Sequence, residues 1–169
     1  MRVLVTGGTG FVGFHVLRAL KRKDHEVVVL VRNAEKAQPL FEKYGVSVDR
    51  MVVGSITDEN TVRDALLSCD AVVHAAAVTP MQVASEKELL ETNVDGVKNV
   101  IGTACDMGIN NNVFVSSITA IFNTNPARMS ANAPIAKSKH SYGQSKALAE
   151  MYVRGLQAQG KGVKTVYPG

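Results

Sequence analysis

Val3-Leu4-Val5-Thr6-Gly7-Gly8-Thr9-Gly10-Phe11-Val12-Gly13 is the stretch that decides the predicted fold. A short apolar run ends at Thr6, glycines follow at three-residue spacing, and an amphipathic helix begins near Phe11. A strand, a tight turn and a helix N-terminus in this order form the arrangement that receives a dinucleotide's pyrophosphate. The unpaired N–H groups at the start of the helix, together with its dipole, favour an anion there.

Each glycine of the turn has an expected role. Gly7 can adopt backbone angles that a Cβ atom would forbid, Gly10 would let the backbone approach the phosphates, and Gly13 would let the first helix lie close to the first strand. Thr9, Phe11 and Val12 complete the predicted cofactor-binding turn. The spacing alone is a weak signal, and a glycine-rich turn that binds nothing is the alternative. Its position between a strand and a helix favours binding.

Strand and helix patterns alternate along the rest of the chain. Asn33 is a candidate helix cap, Pro39 is expected to break or shorten the second helix, and Ser85 to Glu88 form a capping box before a long helix. Alternation predicts an α/β fold, a doubly wound parallel sheet of about six strands in the order 3-2-1-4-5-6 with helices on both faces. The strands expected after the first are residues 26–32, 51–53, 71–74, 113–116 and 163–167, and a last helix is expected over 141–159.

Composition narrows the class of protein. The chain has 169 residues, of which 46% are hydrophobic and 20% charged, which is typical of one soluble globular domain. No run approaches the ~20 apolar residues of a membrane span, and Met1 leads directly into a strand, so we expect a cytoplasmic protein. The formal charge of +4 is mild and scattered and requires no nucleic-acid partner. Cys69 and Cys105 lack metal-ligand spacing, so we predict reduced, buried thiols and no metal.

Arg32 indicates which dinucleotide is preferred. It follows the second predicted strand about 20 residues beyond the glycines, where an NAD-binding protein usually has Asp or Glu. A guanidinium can bind a 2′-phosphate that a carboxylate would repel, so we predict a preference for NADP(H), with NAD(H) possible. A solvated arginine at a strand end is the alternative.

Tyr142 and Lys146 are the second candidate motif. They stand four residues apart at the start of a predicted helix, so their side chains share one face. A free tyrosine, with a pKa of ~10, is a poor acid or base at neutral pH. An ammonium ~4 Å away would stabilise a phenolate by roughly 4 kcal/mol at an effective dielectric near 20. An ordinary pair on a helix surface is the alternative.

Ser117 is the third candidate. It follows the fifth predicted strand, at the carboxyl edge where doubly wound sheets bind ligands, and it precedes Tyr142 by 25 residues. A hydroxyl there can stabilise the developing charge on a substrate oxygen. Serines at strand ends also satisfy local backbone groups, which is the alternative that we consider for Ser116.

Five motifs together resemble the extended short-chain dehydrogenase/reductase family. They are Thr6-Gly-Gly-Thr-Gly-Phe-Val-Gly13, His74-Ala-Ala-Ala77, Thr92-Asn-Val-Asp-Gly96, Ser116-Ser117 and Tyr142-Gly-Gln-Ser-Lys-Ala-Leu-Ala-Glu150. Their order and spacing match from end to end. Val31 and Arg32 resemble the NADP-using, dihydroflavonol-reductase-like ketoreductases more than the sugar-nucleotide epimerases.

The resemblance implies roles for individual residues. Tyr142 would be the acid/base, Lys146 its partner on the nicotinamide ribose, and Ser117 or Thr119 the hydroxyl donor. Asn93 would order the site from the long helix, and a buried amide that bonds to backbone is the alternative for it. For His74, the alternative is a histidine that belongs to the hydrophobic core at the end of a strand. The cofactor would be lined by Ala75, Ala76 and Ala77, and the nicotinamide passed by Pro168 and Gly169.

Two features depart from the family pattern. Ser55 stands where the family usually has an Asp that faces the adenine, so Ser55 and Ile56 would frame the base without an ionised acceptor. Family members also continue beyond the segment that matches Pro168 and Gly169. We therefore expect residues 1–169 to form the dinucleotide-binding domain, with the C-terminal substrate region absent from this chain.

The predicted activity is hydride transfer to or from a carbonyl or secondary alcohol, with a small-molecule substrate and neither nucleic acid nor membrane as partner. A non-catalytic NAD(P)-binding sensor module and a nucleotide-sugar epimerase or dehydratase are the alternatives, and a homodimer stays open. The polar stretch 123–140 carries Arg128, Lys137, Lys139 and His140. These basic residues would suit an anionic substrate or simply a solvated loop.

Overall fold

Six parallel strands form one sheet in the computed structural model, which describes residues 1–82, 85–122 and 130–169. The strand order is β3-β2-β1-β4-β5-β6, which confirms the predicted topology. The order reverses between β1 and β4, and this is where a doubly wound sheet opens a crevice for a ligand. The strands are β1 (Arg2–Thr6), β2 (Glu26–Val31), β3 (Arg50–Val53), β4 (Ala71–His74), β5 (Asn112–Val115) and β6 (Val163–Val166).

Helices connect the strands, as the alternating pattern predicted. They are α1 (Phe11–Lys21), α2 (Ala34–Lys43), α3 (Glu59–Leu66), α4 (Glu86–Leu90), α5 (Thr103–Asp106) and α6 (Ser141–Ala158). The helices α4 and α5 are the two ends of one long helix, whose middle contains two π-helical stretches, Glu91–Asp95 and Lys98–Gly102. A π-helical stretch within a longer helix is frequently found at a functional site.

Two hydrophobic cores cover the two faces of the sheet. Val3 and Val5 of β1 belong to the core that includes Leu17 of α1 and Phe41 of α2. Leu4, between them, belongs to the opposite core, which reaches Ile101 of the long helix. Alternate residues of a strand face opposite sides, so both faces are buried and a continuous apolar strand results. Cys69 and Cys105 are free and buried in the second core, and burial raises the pKa of both thiols.

The predicted cap of α2 is present, whereas the predicted break at Pro39 is not. The Asn33 side chain accepts a hydrogen bond from the Lys36 N–H (2.9 Å) and caps α2. The prediction for Pro39 was wrong, because α2 continues through it to Lys43. Ala37 and Phe41 lie on either side of Pro39 and are buried in the core. Their packing holds the helix on the sheet and outweighs the loss of one backbone donor.

The structure also bears on membranes and metals. In the described ranges, no helix is long and apolar enough to cross a membrane. Over the same ranges, His, Cys, Asp and Glu side chains form no group of three or more that could hold a metal ion.

Candidate functional site

The glycine-rich turn after β1 is fixed by close backbone contacts. Gly7 has a positive φ of 74°, and the Gly10 N–H donates to the Gly7 carbonyl over 2.9 Å. A Cβ atom on Gly7 would lie 2.6 Å from the backbone of Ala75 and Ala76, and one on Gly13 would overlap the Gly7 carbonyl. Gly7 therefore has the kind of backbone angle predicted for it, and Gly13 lets the start of α1 pack directly on the residue that follows β1. The role of Gly10 towards phosphates stays a prediction.

A cavity of about 420 Å³ opens at the carboxyl edge of β1, β2, β3 and β4. Nine predicted cofactor residues line it: Gly7, Thr9, Gly10, Arg32, Ser55, Ile56, Ala75, Ala76 and Ala77. The lining also includes Thr57, Gln82 and Glu91, which the sequence did not single out, and Glu88, which it indicated only as part of a helix cap. The hydrophobic periodicity of the long helix indicates its buried face but not which residues border a cleft.

The other predicted cofactor residues lie outside this lining. Phe11 and Val12 begin α1 with 83% and 37% of their surfaces exposed. Pro168 and Gly169 follow β6, and the Pro168 carbonyl accepts a hydrogen bond from the Ile118 N–H over 3.1 Å. This contact joins the last residues of the chain to the loop after β5. In the strand order, that loop lies on the opposite side of β1 and β4 from Arg32, which follows β2.

Arg32 and Ser55 differ in how they are held. Arg32 is exposed at the end of β2, and its guanidinium has no hydrogen bond or ion pair within the described part of the chain. Ser55 instead makes a local turn, with its Oγ accepting from the Thr57 N–H at 3.1 Å. The Ile56 carbonyl accepts from the side chain of Asn99 at 3.0 Å, which ties this edge of the cavity to the long helix. Arg32 is thus available to a ligand.

Thr6 and His74, at the ends of β1 and β4, form a hydrogen-bonded pair beneath the glycine-rich turn, on the side of the sheet. The Thr6 hydroxyl lies 2.7 Å from His74 Nδ1 and also accepts from the Ala76 N–H at 3.4 Å. His74 is completely buried, and burial, with a smaller effect of the Lys146 charge, lowers its pKa to about 3. The ring is therefore neutral and part of the core, in agreement with the alternative considered for it. Its Nε2 has no partner among the residues described.

The hydroxyls of Ser117 and Thr119 meet after β5. Ser117 caps a short 3₁₀ helix, Ile118–Ala120, and its Oγ accepts from the Thr119 N–H (3.2 Å) and the Thr119 hydroxyl (3.0 Å). Both bonds use Ser117 as acceptor, so with respect to the described residues its own O–H is left to donate. The alternative considered for Ser116 does not hold within the described residues, where its buried hydroxyl has no partner.

Lys146 is buried at the start of α6. Only 3% of its surface is exposed, its Nζ donates to the Val115 carbonyl at 3.1 Å, and it lies 5.3 Å from the centre of the Phe114 ring. Burial lowers the pKa of Lys146 to about 8, and the charge of Glu150 opposes part of that fall. An ammonium with this pKa is poised near neutral pH, which is typical of functional lysines.

Tyr142 lies one helical turn before Lys146, and it is half-buried. It borders a second cavity of about 530 Å³, together with Pro80, Ser85, Glu86, Leu89, Lys139, His140 and Ser141. The helix α6, which carries Tyr142 and Lys146, lies against the short 3₁₀ helix that Ser117 caps. Arg128 lies outside the described residues, whereas Lys137, Lys139 and His140 are exposed.

Asn93 connects three parts of the site from within the first π-helical stretch. Its side-chain oxygen accepts from the Val78 N–H, and its amide donates to the Val78 carbonyl, both over 2.8 Å. The same amide donates to the Ser145 hydroxyl (3.1 Å), which in turn donates to the Tyr142 carbonyl (2.8 Å). Asn93 is a buried amide that bonds to backbone, and through these bonds it links the loop after β4 to the first turn of α6.

A parallel sheet in this order, with a glycine-rich turn and a cavity at its carboxyl edge, defines a Rossmann-type nucleotide-binding protein. Comparison with known proteins agrees. The chain belongs to the NAD-dependent epimerase/dehydratase family, whose sequence profile matches residues 3–168. The resemblance inferred from the five motifs is thereby confirmed.

Individual relatives include reductases. The chain is 33% identical, over 98% of its length, to a 4-hydroxy-2-methyl-3-oxo-4-farnesyl-3,4-dihydroquinoline-1-oxide ketoreductase of Stigmatella aurantiaca. It is 31% identical, over 97% of its length, to a putative dihydroflavonol 4-reductase of Synechocystis sp.. The chain spans about half of the length of these two relatives, 48% and 47%.

A solved structure shows the same fold. It is a short-chain dehydrogenase/reductase superfamily protein from Agrobacterium tumefaciens, determined with bound NAD. The TM-score is 0.79 at 27% identity, and the match covers 99% of this chain and 48% of that one.

Proposed function

We propose that residues 1–169 form the cofactor-binding part of an NADP(H)-dependent oxidoreductase that acts on a carbonyl or secondary alcohol. The observation that carries this proposal is the buried Lys146, with a pKa near 8, one helical turn from Tyr142 at the carboxyl edge of the sheet. A surface pair of no functional importance would leave the ammonium in water. Burial of a cation is costly. The Val115 carbonyl and the face of the Phe114 ring offset part of that cost for Lys146.

The residues present fit a dinucleotide. Gly7 and Gly13 leave no room for Cβ atoms, and the turn that they shape presents the start of α1 to the cavity. The first N–H groups of α1 would hold the pyrophosphate. Lys146 would bond to the nicotinamide ribose, and Ala75 to Ala77 would border the cofactor. When bound, the nicotinamide supplies or accepts hydride.

Tyr142 transfers the proton. In the reducing direction its hydroxyl donates to the carbonyl oxygen of the substrate, and the Lys146 ammonium stabilises the phenolate that remains. The Ser117 O–H donates to the same oxygen and stabilises its growing negative charge, because its own oxygen acts only as an acceptor among the residues described. Thr119 holds the Ser117 oxygen in place, and Asn93 holds the turn that carries Tyr142.

Arg32 supports NADP(H) over NAD(H). Its guanidinium is exposed at the cavity and unpaired within the described part of the chain, and no carboxylate follows β2 in the position that would hold a ribose hydroxyl. A charge-assisted bond to a 2′-phosphate fits this environment. NAD(H) remains the alternative, since the related Agrobacterium protein was solved with NAD.

A nucleotide-sugar epimerase or dehydratase is the second candidate. It is supported by the family to which the chain belongs, which is named for epimerases and dehydratases. Such an enzyme would use the same tyrosine and lysine. The difference is the fate of the hydride, which an epimerase returns to its substrate and a reductase leaves on the product.

The experiment that tests the proposal follows this hydride in the full-length protein. NADPH deuterated at C4 is supplied with a panel of ketones, and UDP-glucose with NAD is supplied separately. We expect NADPH oxidation with deuterium on the carbinol carbon of an alcohol product. Epimerised sugar without net cofactor consumption would favour the second candidate. Tight cofactor binding with no conversion of any substrate would contradict both and indicate a sensor module.

A further inference from the structure

Glu150 is a carboxylate with no exposed surface, one turn beyond Lys146 on α6. Its Oε1 accepts hydrogen bonds from the Tyr167 hydroxyl (2.6 Å) and from Arg154 Nε (2.9 Å). Its Oε2 is buried without a partner among the described residues. Burying a carboxylate costs several kcal/mol unless it is well paired. The proposed chemistry does not use this group directly.

Glu150 and Lys146 stand four residues apart on α6 and are both buried, so their side chains lie on one face of the helix, away from water. Burial lowers the pKa of the lysine, and the negative charge of Glu150 raises it again. His74 faces the same region from β4 but is neutral, because burial holds its pKa far below the neutral range. Within the described residues, the two groups that contact the ammonium carry no charge: the Val115 carbonyl and the Phe114 ring. Arg154 is the charged group on the other side of Glu150, and it forms an ion pair with Oε1 of that carboxylate at 2.9 Å.

Glu150 also reaches two backbone segments beside the site. Arg154 donates to the carbonyls of Ala133 (2.9 Å) and Ala131 (3.1 Å), in the loop that leads to Tyr142. Tyr167 lies directly after β6 and before Pro168, whose carbonyl holds the Ile118 N–H. One carboxylate thus joins α6, the end of β6 and the loop before Tyr142.

We propose that Glu150 is a positioning residue that keeps the Lys146 ammonium charged in its buried position and, through Tyr167 and Arg154, fixes the two segments beside it. The importance of that ammonium for turnover rests on the proposed function. The effect of Glu150 on Lys146 does not, so it can be measured without any substrate.

The test is a direct titration of Lys146 by NMR on protein with ¹³Cε-labelled lysine, with the signal assigned from the K146R variant. E150Q keeps the shape and an oxygen acceptor but removes the charge, so the pKa of Lys146 should fall by about one unit. Y167F removes only a neutral donor and should leave this pKa close to that of the parent. E150D restores the charge and should restore most of the shift.

An E150Q protein whose Lys146 titrates like the parent would overturn the inference, whatever its turnover. If E150Q does not fold, the double variant E150Q/K146M decides. Removal of the buried ammonium should then restore folding, and a double variant that stays unfolded would overturn the claim that Glu150 acts on the charge of Lys146. In the full-length enzyme, E150Q should also move the alkaline limb of the turnover profile to lower pH. Failure of the proposed function would appear separately, as missing hydride transfer in the parent.

Discussion

The two ends of the candidate site are built from different parts of the chain. At the glycine end, the turn from Gly7 to Gly13 and the backbone of Ala75 and Ala76 meet so closely that a single Cβ atom has no space. At the lysine end, Lys146, Asn93 and Glu150 are buried polar side chains with partners on other elements. The first end is shaped by the absence of side chains, and the second by their hydrogen bonds.

This difference determines what each end tolerates. Backbone that is packed against backbone cannot relax around an added atom, so the glycine end should be sensitive to volume. Removal of the hydrogen-bond partner of a buried polar group costs more folding free energy than a small change in the shape of a side chain. The lysine end should therefore be sensitive to charge and to hydrogen-bonding capacity. Arg32 belongs to neither class, because it is exposed and its guanidinium has no hydrogen bond or ion pair to any of the residues that the structure describes.

The largest loss of cofactor affinity is expected from Gly13→Ala, which tests the glycine end. The new Cβ would overlap the Gly7 carbonyl and push the turn out of place. The free energy of unfolding should fall by about 1–3 kcal/mol, and calorimetric titration should show cofactor affinity weakened by roughly 100-fold.

Gly155→Ala is the matched control, because a Cβ on Gly155 of α6 would meet nothing within 4 Å. It should bind cofactor like the parent and gain about 0.5–1 kcal/mol of stability from helix propensity. If Gly13→Ala bound the cofactor as tightly as Gly155→Ala, the close packing of the turn would have no role in binding.

A smaller effect is expected from Arg32→Asp, which alters an exposed charge without disturbing packing. The parent should bind NADPH more tightly than NADH by about tenfold, the equivalent of ~1.4 kcal/mol. The variant should reverse this order, since a carboxylate repels the 2′-phosphate and accepts from the ribose hydroxyls. Calorimetric titration of both proteins with both cofactors measures the change.

Arg22→Asp serves as the control for net charge. Arg22 is exposed at the far end of α1, away from the carboxyl edge of the sheet. It should keep the order of the parent. Equal affinities of the parent for NADPH and NADH would remove Arg32 from the explanation of cofactor choice.

Most of the fold could be predicted from the sequence because its signals are local. Apolar runs, the Asn33 cap and the glycine spacing each act within a few residues, and the strand order follows from the βαβ pattern. The prediction for Pro39 failed because packing of Ala37 and Phe41 is a tertiary effect. Propensity is a weak guide where burial opposes it.

The site was predictable only in part, for a similar reason. Nine of the predicted cofactor residues line one cavity. Three of them belong to the glycine motif, Arg32 was predicted from its position after the second strand, and the other five from the family resemblance. The links from Glu150 to Tyr167 and Arg154 to Ala131 join residues 17 and 23 positions apart and depend on how α6 lies on β6. No periodicity indicates such contacts. The cap made by Ser117 likewise depends on the bend of the chain after β5.

Turnover of Tyr142→Phe in the full-length enzyme tests the central claim most directly. The substitution removes only the hydroxyl that we assign to proton transfer, so turnover should fall by about 10²–10⁴-fold, with NADPH affinity unchanged. Tyr152→Phe is the control on the same helix, because Tyr152 packs against the core beside Gly102 and should not affect turnover. A Tyr142→Phe enzyme with the turnover of the parent would show that the proton comes from another group and would contradict the assignment.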